Sequence, residues 1–429
     1  MSPNIPITNQ KRVVIVGAGF GGLELAQQLS DHSDFQIILI DKNNYHQFQP
    51  LFYQVAMAGL EPSSIAFPLR KVFQNSKNVH IRVTEVSRVN TEKNIVETII
   101  GEIEYDYLVL AMGTTTNFYG MKNIIDNALP MKSVAEALAL RNQILQNFED
   151  ALTTENLEDK QGLMNIVIVG GGPTGVEIAG TLAEMKRQIL PKDYPELNFD
   201  SMQIYLYESS TEVLEVMSDE ASAKAKEYLT DLGVNLRLGM RITDFDGKYA
   251  STNTGDRLRT NNLIWAAGVK ANSIEGLPET VITRGGRIKV NIFNQIEGFT
   301  NCFAIGDLAL MTEEKYPNGH PQLAQPAIQQ GALLAKNLVR LERKNIVKPF
   351  VYKDLGSMAT VGRNLAVVDL PFWKFQGFFA WLTWMFVHLM AIVGVKNKLL
   401  IFINWLWNYV TYDQSLRLII KPKIRKPNL

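Results

Sequence analysis

The chain states one local plan twice. Residues 12–19, RVVIVGAG, form a short β-branched run that ends in glycine, and residues 165–172, NIVIVGGG, repeat it. Such a run reads as a buried parallel strand feeding a tight turn. After each comes a helix-like stretch and a second strand closing on one acid: QIILID ends at Asp41 and QIYLYE at Glu208. Each half then closes on similar words, YDYLVLAMGT at 105–114 and TNNLIWAAGV at 260–269. Two copies of one βαβ plan in a single chain predict an α/β fold with two nested Rossmann-like dinucleotide-binding domains.

The glycines carry the chemistry. In GAGFGG, Gly17 allows the turn, Gly19 admits a pyrophosphate close to the backbone, and Gly22 lets the helix pack on the strand. Gly170, Gly172 and Gly175 repeat these roles in GGGPTG. Behind each loop, a helix N-terminus offers free N–H groups and a positive dipole end to phosphates. Asp41 and Glu208 stand where a carboxylate accepts hydrogen bonds from the ribose hydroxyls of adenosine. The SSTE that follows Glu208 supplies no arginine for a 2′-phosphate, which favours NADH over NADPH. In the second copy, EMKRQILPKDYPELNFDSMQ lengthens the crossover before that acid.

Composition narrows the remaining classes. With 429 residues, 46% hydrophobic and 20% charged, the chain has material for two or three packed domains. Lys plus Arg and Asp plus Glu balance at 43 each, so no basic field draws it to nucleic acid. The single cysteine, Cys302, excludes an internal disulfide, a CxxC redox pair and a cysteine metal cluster; it reads as a packed core thiol. No metal-ligand spacing is visible, and no metal is expected. The N-terminus shows no apolar signal region, so the catalytic part is expected to remain in the cytosol.

Two more stretches make the pattern specific. NCFAIGDLA, residues 301–309, is a further apolar strand ending in Gly306–Asp307. AQPAIQQG places Gln325 at the mouth of a helix expected over about 326–343, with Gln329 four residues on and on the same face. In order, the chain therefore carries a GxGxxG, the AMGT and AAG strand ends, a second GxGxxG, and AIGD. It resembles the two-dinucleotide-binding flavoproteins over residues 12–340 and, through AQPAIQQG, the type II NADH dehydrogenases. That resemblance implies non-covalent FAD at the first copy and NADH, as substrate, at the second. It implies FAD contacts from Gly113, Asp307 and Gln325, and nicotinamide-side contacts from Glu177 and Gly268. It further implies a quinone, ubiquinone or menaquinone, bordered by Gln325, Gln329 and the loop residues Gln49, Pro50 and Leu51. Glu177, Gln325 and Gln329 would be the catalytic set. The implied reaction passes a hydride from NADH to FAD and then two electrons to the quinone, without proton pumping. His46, near Gln49, is expected to be a satisfied loop residue rather than an acid–base group. Disulfide reductases and sulfide–quinone reductases are excluded for want of cysteines.

The C-terminus differs in kind. From Phe375 to Val395 there is no charge, a length sufficient to cross a bilayer, but a single span would push the basic tail outside, against the positive-inside tendency. The following LLIFINWLWNYVTY is too short to return, and Asn404, Asn408 and Thr411 recur along it at helical spacing. Two amphipathic helices lying in the membrane interface are expected, with Trp373, Trp381, Trp384, Trp405 and Trp407 at headgroup depth. Lys396, Lys398, Arg417, Lys421, Lys423, Arg425 and Lys426 would engage anionic lipid. The expected layout is FAD-binding 1–115 and 296–345, an inserted NADH-binding domain 116–295, and a membrane-association region 346–429. It would lie peripherally on the cytoplasmic face of the membrane, and a homodimer is compatible. The rival readings are a soluble NADH-dependent reductase of a ferredoxin- or rubredoxin-like partner, and a flavin-bearing binding protein.

Overall fold

The computed structural model describes residues 3–411 and 416–420. Six of its helices concern the site: α1 (Phe20–Leu29), α2 (Val134–Thr153), α3 (Pro173–Gln188), α4 (Ala324–Glu342), α5 (Phe378–Ala391) and α6 (Val395–Thr411). The chain divides into two units. The first holds Met1–Gln47, Phe67–Thr115 and Val269–Leu355; the second holds Phe48–Ala66, Thr116–Gly268 and Gly356–Leu429.

In the first unit, five parallel strands lie in the order Cys302–Ala304, Tyr107–Leu110, Lys11–Val16, Phe35–Asp41, Val79–Val83. The register sets Val16 beside Leu110 and Ile40. Val13, Val14, Ile15, Ile37, Ile38, Leu39 and Ile40 have no exposure, as strands covered on both faces require. Helix α4 packs on α1 so closely that a Cβ on Gly331 would lie 2.4 Å from the Gly21 carbonyl oxygen.

The second unit repeats this order: Leu129–Pro130, Asn262–Trp265, Ile166–Val169, Ile204–Glu208, Asn235–Leu238, again all parallel. The outermost position is filled in the first unit by the AIGD strand and in the second by two residues ahead of α2. Onto α3 packs an antiparallel sheet of Ser357–Gly362, Leu365–Leu370 and Trp373–Gln376. The approach requires Gly180, where a Cβ would meet the Val361 carbonyl oxygen at 1.5 Å. The sheet carries α5, and α6 packs on α5 and on Pro62–Ile65.

The division differs from the expected layout in three places, the first being Phe48–Ala66, which lies with the second unit. Residues 269–295 lie with the first unit, because Ile288–Lys289 pairs with Ala309–Leu310 and Val290 bridges Ile296. Gly356 onward lies with the second, bound through α3.

The charge-free stretch is not one helix. Phe375 and Gln376 end a strand, Gly377 turns at φ +82°, α5 runs to Ala391, and Gly394 at φ +87° precedes α6. Among the described residues no helix is long and apolar enough to cross a membrane.

Asn397 and Asn408 of α6 turn toward the protein, whereas Lys396 and Thr411 are exposed. Asn397 is buried and donates to the Ser64 carbonyl at 3.1 Å, and Asn408 donates to that of Gly59 at 3.3 Å. The exposed side of the two helices is mainly apolar, with Phe379, Leu382, Phe386 and Met390 on α5 and Leu399, Phe402, Ile403, Leu406 and Val410 on α6. Not every tryptophan is outside, however. Trp373 and Trp407 are exposed, but Trp384 and Trp405 are buried, the latter donating Nε1 to Gln54 Oε1 at 2.7 Å. Of the basic residues, Arg417 pairs with Asp193, and Lys398 donates to the Met390 carbonyl at 2.8 Å. Lys421, Lys423, Arg425 and Lys426 lie outside the described residues.

Candidate functional site

The two glycine loops are built alike, each within its own unit. Gly17 turns at φ +106°, and a Cβ there would stand 2.3 Å from the Ala111 carbonyl oxygen; Gly170 turns at φ +110°, with Ala266 oxygen at 2.5 Å. A Cβ on Gly22 or Gly175 would meet the oxygen of Gly17 or Gly170 at 1.9 Å. By contrast, Gly19 and Gly172 have nothing within 4 Å of that position. The loops are thus tight everywhere except at the middle glycine, whose open side faces no protein atom. Gly19 and Gly172 are also the N-caps of α1 and α3, and no side chain caps either helix. Their first-turn N–H groups suit a pyrophosphate, so both loops fit the dinucleotides expected at them.

Each acid closes its loop. Asp41 accepts from the N–H of Ala18 through Oδ2 and from Asn43 through Oδ1, both at 2.7 Å. Glu208 accepts from Gly171 N–H at 2.5 Å through Oε2, and from Ser209 Oγ and Ser210 N–H at 2.8 Å through Oε1. In both copies the residue between the first two glycines donates to the acid at the next strand end. His46 adds a further tie in the first copy. It is buried, its Nδ1 is 2.9 Å from the Ala18 carbonyl, and burial lowers its pKa, which suits a structural residue.

The strand-end glycines sit in left-handed turns. Gly113, at φ +62°, accepts from Asn272 N–H at 3.1 Å, and Asn272 Nδ2 donates to Met112 oxygen at 2.7 Å. Gly268, at φ +126°, lies beside the Tyr119 hydroxyl, which donates to Ala267 oxygen at 2.8 Å. Asp307 lies in a short 3₁₀ turn, Gly306–Leu308, where its Oδ2 accepts from Thr114 Oγ1 at 3.1 Å.

Helix α4 begins at Ala324, with Gln325 half-buried in its first turn. Gln329 is already engaged: Nε2 donates to Lys353 oxygen at 2.9 Å, and Oε1 accepts from Lys353 N–H at 3.0 Å. The buried Gln330, which sequence reasoning passed over, accepts from Gly306 N–H at 2.7 Å and so fixes the AIGD turn to α4. Only its place in a run of two glutamines could have drawn notice.

Gln49, Pro50 and Leu51 form a 3₁₀ turn in the second unit. Leu51 has no exposure and packs in the core, which corrects its expected place at a ligand surface. Gln49 and Pro50 are half-buried, and Lys132, also missed from sequence, donates Nζ to Gln49 Oε1 at 3.1 Å. The second unit also holds Glu177, 8% exposed on α3, with a hydrogen bond from the Thr360 backbone. Burial raises its carboxyl pKa well above the usual range, and the hydrogen bond from Thr360 opposes that rise. Burial raises the Tyr53 hydroxyl pKa as well.

Comparison with known proteins agrees with this arrangement. The pyridine nucleotide-disulphide oxidoreductase family matches residues 11–331, and the NDH2 C-terminal domain matches residues 355–411. The type II NADH:quinone oxidoreductase Ndh of Mycobacterium tuberculosis is 34% identical over 424 residues, covering 94% of this chain and 90% of that protein. The structure of NDH2 from Plasmodium falciparum in complex with NADH shares the fold. Its TM-score is 0.88 at 21% identity, over 96% of this chain and 100% of that one. The sulfide:quinone oxidoreductase of Aquifex aeolicus shares it less closely, with a TM-score of 0.73 at 19% identity over 90% and 92% of the two chains. Duplicated cradles, an AIGD turn held to α4 and a matching C-terminal domain thus come together, and the chain belongs to the type II NADH:quinone oxidoreductases of the pyridine nucleotide-disulphide oxidoreductase family.

Proposed function

We propose that this chain oxidises NADH and reduces a membrane quinone, ubiquinone or menaquinone, without proton pumping, from a peripheral position on the cytoplasmic face of the membrane. Non-covalently bound FAD supplies the two-electron relay that joins hydride chemistry to quinone chemistry. In the first unit, Gly17, Gly19 and Gly22 shape the loop for its pyrophosphate and the α1 N-terminus supplies N–H donors. Asp41 takes the ribose hydroxyls, while Gly113, Asp307 and Gln325 line the flavin end. In the second, Gly170, Gly172, Gly175 and Glu208 do the same for NADH. Glu177 and Gly268 stand on the nicotinamide side, where the buried carboxyl positions the ring. Gln49 and Pro50 border the quinone, and so does Gln325. The pair of hydrogen bonds between the Gln329 amide and the Lys353 backbone supports a positioning role for that side chain.

The observation that carries this reading is the matched pair of open cradles, one per unit, in a chain of this family. The outward apolar faces of α5 and α6 favour a lipid surface over a soluble electron-carrier partner. A homodimer is compatible with the same faces. Steady-state kinetics with NADH against NADPH, and with ubiquinone and menaquinone analogues, tests the proposal. NADH is expected to be preferred and quinone to be reduced; NADPH preference, or NADH oxidation that leaves the quinone unreduced, would refute it.

A further inference from the structure

Tyr119 occupies a backbone position that suits a different residue. Residues 118–121 make a tight turn, closed by the Met121 N–H, which donates to the Phe118 carbonyl at 3.0 Å. Both central residues are left-handed, Tyr119 at φ +51° and Gly120 at φ +77°. In a turn of that hand, asparagine, aspartate or glycine is favoured at the first position. A bulky aromatic held there is an outlier, and such strain collects at sites of function.

Packing does not account for the choice. The neighbouring Phe118 stacks on Trp265 with centroids 6.0 Å apart and packs against the core of the second unit, whereas Tyr119 is 62% exposed. The segment is held by its other atoms. Asn117 N–H donates to the Gly268 carbonyl at 3.1 Å, Trp265 Nε1 donates to the Asn117 carbonyl at 2.8 Å, and Asn117 Oδ1 accepts from the Tyr119 N–H at 2.9 Å. What the side chain adds is direction: its hydroxyl, bonded to the Ala267 carbonyl, holds the ring across the AAG turn with most of its surface open.

That turn borders the dinucleotide crevice. The sheet sets Asn262–Trp265 on one side of Ile166–Val169 and Ile204–Glu208 on the other. A dinucleotide crosses the carboxyl ends of such strands where their order reverses. With the pyrophosphate at the Gly172 loop and the adenosine ribose at Glu208, the other half of the molecule runs to the opposite side, over residues 266–268. There a Cβ on Gly170 would lie 2.5 Å from the Ala266 oxygen, and one on Gly268 would lie 2.6 Å from the Tyr119 hydroxyl.

We propose that the Tyr119 ring is a platform for the nicotinamide riboside half of NADH, which packs against it at the carboxyl end of this sheet. The contact rests on the proposed function, which gives the second unit its NADH. It explains why a strained turn carries an exposed aromatic: the backbone aims the ring at substrate instead of at the core. A planar guest against an aromatic ring gains offset or edge contacts that contribute about tenfold in affinity.

The test follows anaerobic bleaching of the flavin in full-length, FAD-loaded protein against NADH concentration, with ADP as a competitor that carries only the adenosine and pyrophosphate. Tyr119→Asn, which suits the turn, is expected to raise half-saturating NADH about tenfold, leave the ADP inhibition constant unchanged and melt at or above the parent. Tyr119→Phe, which keeps the ring, is expected to recover most of the loss. An Asn variant that matches the parent for NADH overturns the proposal, as does one that loses ADP as much as NADH or melts below the parent, since the ring would then serve the loop. A Phe variant as weak as the Asn variant overturns it too, by giving the effect to the hydroxyl's bond. Parent protein whose flavin does not bleach with NADH would refute the proposed function itself, an outcome distinct from a parent that bleaches and is matched by the Asn variant.

Discussion

At Gly22 a methyl group would meet the Gly17 carbonyl oxygen at 1.9 Å, whereas at Gly19 it would meet no protein atom within 4 Å. The two positions therefore separate folding from cofactor binding. Gly22→Ala is expected to cost roughly 3 kcal/mol of stability, read as a lowered melting temperature. Gly19→Ala is expected to melt close to the parent yet hold FAD about tenfold or more weakly, measured by FAD release on dilution, because its methyl group enters the pyrophosphate's space. Equal loss of stability in both would show that Gly19 serves the fold alone. Glu177 makes a pH-dependent case. Its carboxyl keeps a proton in the fold to higher pH than in the unfolded chain, where the ordinary value is 4.5. Unfolding therefore releases a proton above that value, and stability falls as pH rises toward the folded pKa. Glu177→Gln removes that loss, so its melting temperature is expected to exceed the parent's at neutral pH and to converge on it near pH 4.5. A constant difference across pH would contradict a raised carboxyl. The glycines and the two strand-end acids were legible because local backbone rules dictate them. The burial of Glu177 was not, since it depends on Thr360, far along the chain, and Lys132 and Gln330 stand in no motif that marks their partners.

Helices α5 and α6 show what a pattern conveys at the scale of an element. Absence of charge from Phe375 to Val395 permitted a bilayer span, and only the backbone turns at Gly377 and Gly394 divide the stretch. Periodic asparagines in α6 correctly implied two-faced character. Which face meets the protein was not readable from them, because it depends on the carbonyls of Ser64 and Gly59. Tryptophan count likewise overstated the interface, since Trp384 stacks on His388 at 4.1 Å inside the second unit. Burial lowers the His388 pKa from 6.5 to about 4. A depressed imidazole contributes stability above its unfolded value that is lost as pH falls through the folded one. The parent is thus expected to lose stability between pH 6.5 and about 4, and His388→Phe to show a flatter slope there in thermal melts. Identical slopes would place the acid sensitivity elsewhere.

At the scale of the molecule, the repeat was plain in the sequence because parallel βαβ units carry strong local signals twice over. The unit boundaries were not, since Val269 and Gly356 change unit through pairings with distant segments. Removing residues 372–429 would also strip Trp384 and Trp405 from the core, so membrane attachment is better tested on the surface. Phe386→Glu with Phe402→Glu places charge on the exposed apolar faces and is expected to weaken sedimentation with anionic vesicles at least tenfold while sparing FAD content. Unchanged sedimentation would move the lipid contact to another surface. The most direct measurement of all is anaerobic rapid mixing of the FAD-loaded protein with NADH and then with a short-chain quinone. NADH is expected to bleach the visible flavin absorbance and the quinone to restore it, each faster than turnover; flavin that stays oxidised with NADH, or stays bleached with quinone, would contradict the proposed path of electrons.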